Sequence, residues 1–181
     1  MQKTEIFIPL LLIASLSGCS IMAIRKHEPN FKSTRELKQI KMDFYVLEVT
    51  AKQPELIKKL EGDSLTCRLA PFNMPANTSV GKFIRDALTD ELDAAGKLSN
   101  NGSSIKITVN RIETDTGSIN NGHWYLDFNY ETEHETYNVQ TDTLFESAYM
   151  GDTACRNAAN AFTDALTDNF DHLYQKYKNE K

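Results

Sequence analysis

Histidine is scarce in this sequence, and His27, His123, His134 and His172 are scattered with no pair at ligand spacing. The pattern therefore offers no dedicated zinc site, and each histidine reads as a surface or turn residue. There is no glycine-rich phosphate loop and no dinucleotide fingerprint, so no cofactor is expected. Long blocks of like charge are absent too. With 20 Lys and Arg against 25 Asp and Glu the net charge is −5, and no basic stripe is interleaved with aromatics, which excludes nucleic acid as a partner. Extended disorder is equally unexpected beyond the ends. No apolar run reaches the roughly 20 residues that a membrane-spanning helix needs. Cysteine is rare, at three residues, so the position of each one matters.

The first segment has the three-part plan of a secretory signal: a short polar opening with Lys3, an apolar run from Ile6 to Leu16, and an ending on small residues. Glu5 and Pro9 are its two irregularities. The run closes on Leu16-Ser17-Gly18-Cys19, which resembles the bacterial lipobox. That resemblance implies a signal peptide over residues 1–18, removed after the Cys19 thiol is alkylated with diacylglycerol, and a mature chain held to the membrane by acyl chains. Each buried methylene contributes about 0.8 kcal/mol, so two or three chains hold almost permanently. Ser20 follows Cys19, not the Asp that tends to retain such proteins at the inner membrane. The outer membrane, facing the periplasm, is therefore expected.

Residues 19–39 read as a lipid-anchored tether, because Arg25, Lys26, Lys32, Arg35, Lys38 and Lys41 stand against only Glu28 and Glu36. Contact of these cations with anionic head groups is the sharper alternative, at roughly 1 kcal/mol each. Residues 40–181 are then one globular domain. Ile40 to Val49 is rich in strand formers, Pro54 to Glu61 reads as a short helix, and Leu65 to Ala70 as a second strand ended by Pro71, Asn73 and Pro75. Val80, Phe83, Ile84, Ala87, Leu88 and Leu92 lie at helical spacing behind Thr78 or Ser79 as cap, with Gly96 closing the helix. Ile105, Ile107 and Val109 alternate, and Ile112 breaks the alternation, which predicts a bulge near Asn110 or Arg111. Trp124, Leu126, Phe128 and Tyr130 alternate with polar partners, and Tyr137, Val139 and Phe145 continue in extended chain after a turn around Glu133 and His134. A long final helix starts near Asp152 with a stripe from Cys155 through Phe162 and Phe170 to Tyr177. The expected class is α+β: a mainly antiparallel sheet with two amphipathic helices on one face. Asp86–Asp90 and Asp164–Asp168 are identical in sequence, a coincidence between two amphipathic helices.

From Cys67 to Tyr174 the chain resembles an uncharacterised family of Gram-negative putative lipoproteins. The resemblance rests on Cys67-Arg68, the helix from Phe83 through Leu92 to Gly96, Gly122 with Trp124, and Gly151-Asp152-Thr153-Ala154-Cys155 with Ala161-Phe162. More distantly, the helix, strands, helix order is similar to that of YajG-type outer-membrane lipoproteins. Both imply location and fold, and neither supplies a catalytic residue.

Three functions are weighed. A non-enzymatic role binding another envelope component through the open face or an edge strand of the sheet leads. A serine hydrolase is the second, because Gly62-Asp63-Ser64-Leu65 spells the nucleophile block of the GDSL esterases, with His172 and Asp168 as partners for Ser64. Against it, Leu56 to Glu61 reads as a helix where those enzymes have an apolar strand, and Asn169-Phe170-Asp171-His172 lacks the Asp of their Asp-x-x-His. A lipid-binding or lipid-transfer module is the third, and needs an apolar groove between helices and sheet. Glu113, Asp115, Asn120 and Asn121 offer oxygen ligands without the regular alternation of a calcium loop, so no metal is expected. Once Cys19 carries lipid, Cys67 and Cys155 remain as an even pair in an oxidising compartment, and a disulfide between them is expected. Buried free thiols are the alternative.

Overall fold

The computed structural model describes residues 22–68, 70–76, 78–117 and 120–179. The signal segment and Cys19 lie outside the described residues. The class is α+β. Four strands form one sheet in the order β1 (Phe44–Ala51), β4 (Ser103–Asp115), β5 (Asn121–Glu131), β6 (Thr136–Glu146), and β2 (Ser64–Cys67) with β3 (Ala70–Asn73) forms a separate antiparallel hairpin. The pairs β4–β5 and β5–β6 are antiparallel. β1 runs parallel to β4, which requires a long crossover, and the chain between them supplies α2 (Pro54–Glu61), the hairpin and α3 (Val80–Ala94).

Alternation decides which face is covered. Ile105, Ile107, Val109 and Ile112 of β4, Trp124, Leu126, Phe128 and Tyr130 of β5, and Val139 and Phe145 of β6 are buried. The two longest helices lie over them, α3 against β1 and α4 (Gly151–Asn179) against β5 and β6. The bulge falls at Asn110, where the β4–β5 register shifts between Val109 and Arg111. Its effect is twofold, returning Ile112 to the core and turning both Asn110 and Arg111 to the opposite face.

Local signals place the helix ends. The Ser79 side chain accepts a hydrogen bond from the Lys82 backbone N–H, and Gly96 follows the last turn with φ of +67°, a left-handed closure that costs glycine little. Gly122 has another reason: a Cβ there would lie 2.3 Å from the Phe145 ring, which packs across the strand pair on the bare glycine backbone.

Two expectations are corrected. Pro71 does not end the second strand but lies in β3, opposite Thr66, a place proline can occupy in a two-stranded edge ladder. The tether reading of 19–39 fails from Met22 onward. Ala23 bridges to Asn73, Ile24 is 3% exposed, and α1 (Phe31–Lys38) packs on α4 and α3 with Leu37 and Ser33 fully buried. Apolar burial and charge hold it there: Lys32 donates to Asp171 of α4 at 2.7 Å, and Arg25 and Lys26 line the same groove as Asp164 and Asp168.

Candidate functional site

The bare face of the sheet is built by the residues that alternate with the core. Asp127 at its centre lies opposite Gln140 on β6 and Arg111 on β4. Its carboxylate accepts three amide hydrogen bonds, from Asn110 Nδ2 at 3.0 Å, Asn138 Nδ2 at 2.6 Å and Gln140 Nε2 at 3.0 Å. Asn138 Nδ2 also reaches Asn129 Oδ1 at 2.8 Å. Beside this cluster the Tyr125 ring lies between two groups. The Arg111 guanidinium sits 4.3 Å from its centroid, and the His123 ring stacks on it at 5.5 Å and 5°. His123 Nδ1 lies 2.6 Å from Asp142 Oδ1, and Arg111 Nε donates to Glu113 at 2.8 Å. The surface dips between Arg111, Tyr125, Gln140 and Asp142 into a shallow depression of about 380 Å³.

Such an array offers flat aromatic area with hydrogen-bonding groups at its rim, which suits a polar partner laid on the sheet. Asp127 accepts from three neutral amides, so it serves as a structural acceptor that orients Asn110, Asn138 and Gln140.

The covered face has its own polar features, all turned inward. Trp124 Nε1 donates to the Ala158 carbonyl at 2.9 Å, and Tyr130 Oη to Asn169 Oδ1 at 2.6 Å, while Asn169 Nδ2 donates to Thr141 Oγ1 at 3.1 Å. Burial holds the phenols of Tyr130 and Tyr174 well above the usual tyrosine range, with Tyr177 adding to the first and Glu91 to the second. The space between sheet and helices, where an acyl chain would have to lie, is filled by Trp124, Phe128, Tyr130, Phe162 and Phe170.

His27 is not the surface histidine expected. It is 3% exposed, and its Nε2 lies 3.1 Å from Oε1 of the fully buried Glu91 on α3. Nearby, Asp171 of α4 accepts from Ser33 Oγ and from Lys32 Nζ, each at 2.7 Å. The hydrogen bond to Asp171 raises the Lys32 pKa, and that from Lys178 lowers the pKa of Glu36. These contacts clamp the N-terminal segment to α3 and α4.

The other sequence candidates are accounted for as follows. Cys67 and Cys155 form a disulfide, with Cα atoms 5.5 Å apart, tying the β2–β3 hairpin to the first turns of α4. Ser64 opens β2 after the helix α2, and among the described residues no hydrogen bond joins it to a histidine. His172 Nδ1 lies instead 2.9 Å from the Asp168 carbonyl. Asp115 accepts from the Gly117 N–H at 2.7 Å, the bond of a closed turn, and among the described residues no three acidic, histidine or cysteine side chains converge on a metal position. No described helix is long and apolar enough to cross a membrane. Sequence reasoning missed His27 with Glu91 and the hub role of Asp127. For the first the only signal is a charged residue inside the apolar stripe of α3.

No family model matches the chain, and no curated protein matches it. Solved structures do. The chain is similar to the crystal structure of protein XCC0632 from Xanthomonas campestris, of family model DUF330, at 13% identity with a TM-score of 0.54, covering 88% of this chain and 98% of that one. A second, the crystal structure of an uncharacterized protein, aligns at 9% identity and a TM-score of 0.44 over 76% of this chain and 94% of that one. At this identity the first likeness shows a shared fold alone.

Proposed function

We propose that the protein is a lipoprotein of the bacterial envelope, anchored by acyl chains on Cys19 at the periplasmic side of the outer membrane, with a non-enzymatic binding role. The observation that carries the binding role is the contrast on one sheet. One face is buried under two helices, and the other presents half-buried Tyr125, Asp127 and Asn129 with exposed Asn138 and Gln140. A face that existed only to be wet would need neither the stacked Arg111, Tyr125 and His123 nor an oriented set of amides. The partner this surface suits is a polar component of the envelope, recognised by stacking and hydrogen bonds. The Leu16-Ser17-Gly18-Cys19 sequence supports the anchor, and the disulfide is in keeping with an oxidising compartment.

Two measurements test this. Metabolic labelling with a fatty acid should mark the protein, and Cys19→Ala should abolish the label and release the chain from the membrane fraction. Persistent labelling of Cys19→Ala refutes the anchor. A photo-crosslinking residue at Gln140, expressed in growing cells, should capture an envelope component. In the same reading Ser64 is structural, so an esterase activity lost in a folded Ser64→Ala variant contradicts it.

A further inference from the structure

The described fold begins at Met22, three positions after Cys19, and extended backbone of that length reaches at most about 11 Å. A domain anchored through Cys19 is thus held against the bilayer, not suspended above it. The direction of approach is fixed as well. Asn73 N donates to the Met22 carbonyl and Ile24 N to the Asn73 carbonyl, both at 2.8 Å, so the chain runs parallel to β3. That direction places Met22 on the Ala70 side of the Ala23–Asn73 bridge, the side of the hairpin turn at Arg68.

Beside that turn two large apolar side chains are uncovered in sequence, Tyr149 at 82% exposure and Met150 at 64%. They stand just before α4, whose Gly151 lies against the Arg68 side chain. Two ties hold this corner. The Cys67–Cys155 disulfide joins the hairpin to α4, and Arg68 Nε donates to Thr116 Oγ1 at 2.9 Å. Arg68 itself is held at φ of +52°, a left-handed conformation unusual for arginine. An exposed tyrosine and methionine on a fixed corner, within reach of the lipid attachment point, have the character of an interfacial anchor.

We infer that Tyr149 and Met150 dip into the bilayer interface beside the acylated Cys19, so that the domain stands on its Arg68 corner with the β5–β6 turn pointing away. The inference rests on acylation of Cys19. The partner is the lipid surface itself. Because β5 and β6 run from this end to the turn around His134, that turn lies on the order of 35 Å from the bilayer.

The test uses the full-length acylated protein in vesicles of phosphatidylethanolamine and phosphatidylglycerol, with and without brominated acyl chains as a quencher. Trp124, the single native tryptophan, is buried and gives a constant background. Tyr149→Trp should lose about half of its added emission when the brominated lipid is present, as expected for a side chain 5–10 Å into the interface, and His134→Trp should lose none. Equal quenching at both positions, or none at Tyr149→Trp, overturns the inference. The acyl label and vesicle flotation are read on the same samples. Labelled, floating protein with an unquenched Tyr149→Trp refutes this orientation while sparing the anchor, whereas absence of label refutes both.

Discussion

The two faces of the sheet share the same strands and differ in every property that alternation can separate. On the covered face Trp124, Phe128 and Tyr130 are at most 1% exposed, and the polar atoms of Trp124 and Tyr130 are bonded to α4. On the bare face Tyr125, Asp127 and Asn129, their immediate neighbours, are half-buried and make their contacts within the sheet. The bulge at Asn110 shows how the two demands are reconciled on one strand, because it gives two consecutive residues to the bare face without surrendering Ile112 from the core. Apolar burial is concentrated on one side of the sheet.

The largest effect that can break this comparison is expected from the staple on the covered side. Removing the disulfide as Cys67→Ser with Cys155→Ser opens a loop spanning 88 residues and should cost about 4 to 5 kcal/mol in the chain-entropy model, read by denaturant unfolding. Next, Phe128→Ala should cost about 4 kcal/mol through lost burial and a cavity. Asp127→Ala, one residue earlier and pointing the other way, should cost less than about 1 kcal/mol. Equal losses for the two would show that the bare face is part of the stabilising core. Glu91→Ala leaves the buried His27 imidazole without its partner, and a loss of about 3 kcal/mol is expected. The accompanying sign would be faster hydrogen exchange in residues 22–38.

The smallest effect sharpens the account of that N-terminal clamp through pH. Glu36 has its folded pKa lowered, chiefly by the hydrogen bond from Lys178. Its contribution is therefore fully present above the ordinary glutamate pKa and is lost as pH falls through the lowered folded value. The protection factors of the α1 amides, taken against the intrinsic exchange rate at each pH, should fall between neutral pH and about pH 3, and Glu36→Gln should flatten that response.

The elements were legible where one periodicity spoke alone. β5 is an unbroken alternation from Trp124 to Tyr130, and the bulge at Asn110 could be read from Ile112 falling out of phase. The disulfide followed from cysteine arithmetic. The N-terminal segment reads as a tether because the carboxylate that Lys32 binds, Asp171, and the Asp164 and Asp168 that share a groove with Arg25 and Lys26 lie over 130 residues away. A local charge excess looks solvated until the fold supplies the opposite charge. The repeated Asp-Ala-Leu-Thr-Asp segments do parallel work: Ala87 and Leu88, like Ala165 and Leu166, are buried, while Asp86 and Asp90 line a pocket with Lys26 and His27 and Asp164 and Asp168 line one with Arg25, Lys26 and Lys32. The parallel pairing of β1 with β4 had no sequence signal of its own, since register and direction across a crossover depend on non-local packing. On the bare face, Asp127 was visible only as a polar residue in an alternating strand, and its three amide donors come from two other strands.

The central claim is that the bare face recognises a partner while the covered face holds the fold. The most direct measurement places a photo-crosslinking residue at Gln140 in the acylated protein in growing cells, with a second placed at Lys176 on the exposed side of α4, each with and without Asp127→Ala. The account predicts a discrete adduct from position 140 that Asp127→Ala abolishes without lowering the unfolding midpoint appreciably, and no such adduct from position 176. An adduct that survives Asp127→Ala, or capture from position 176 alone, would contradict it.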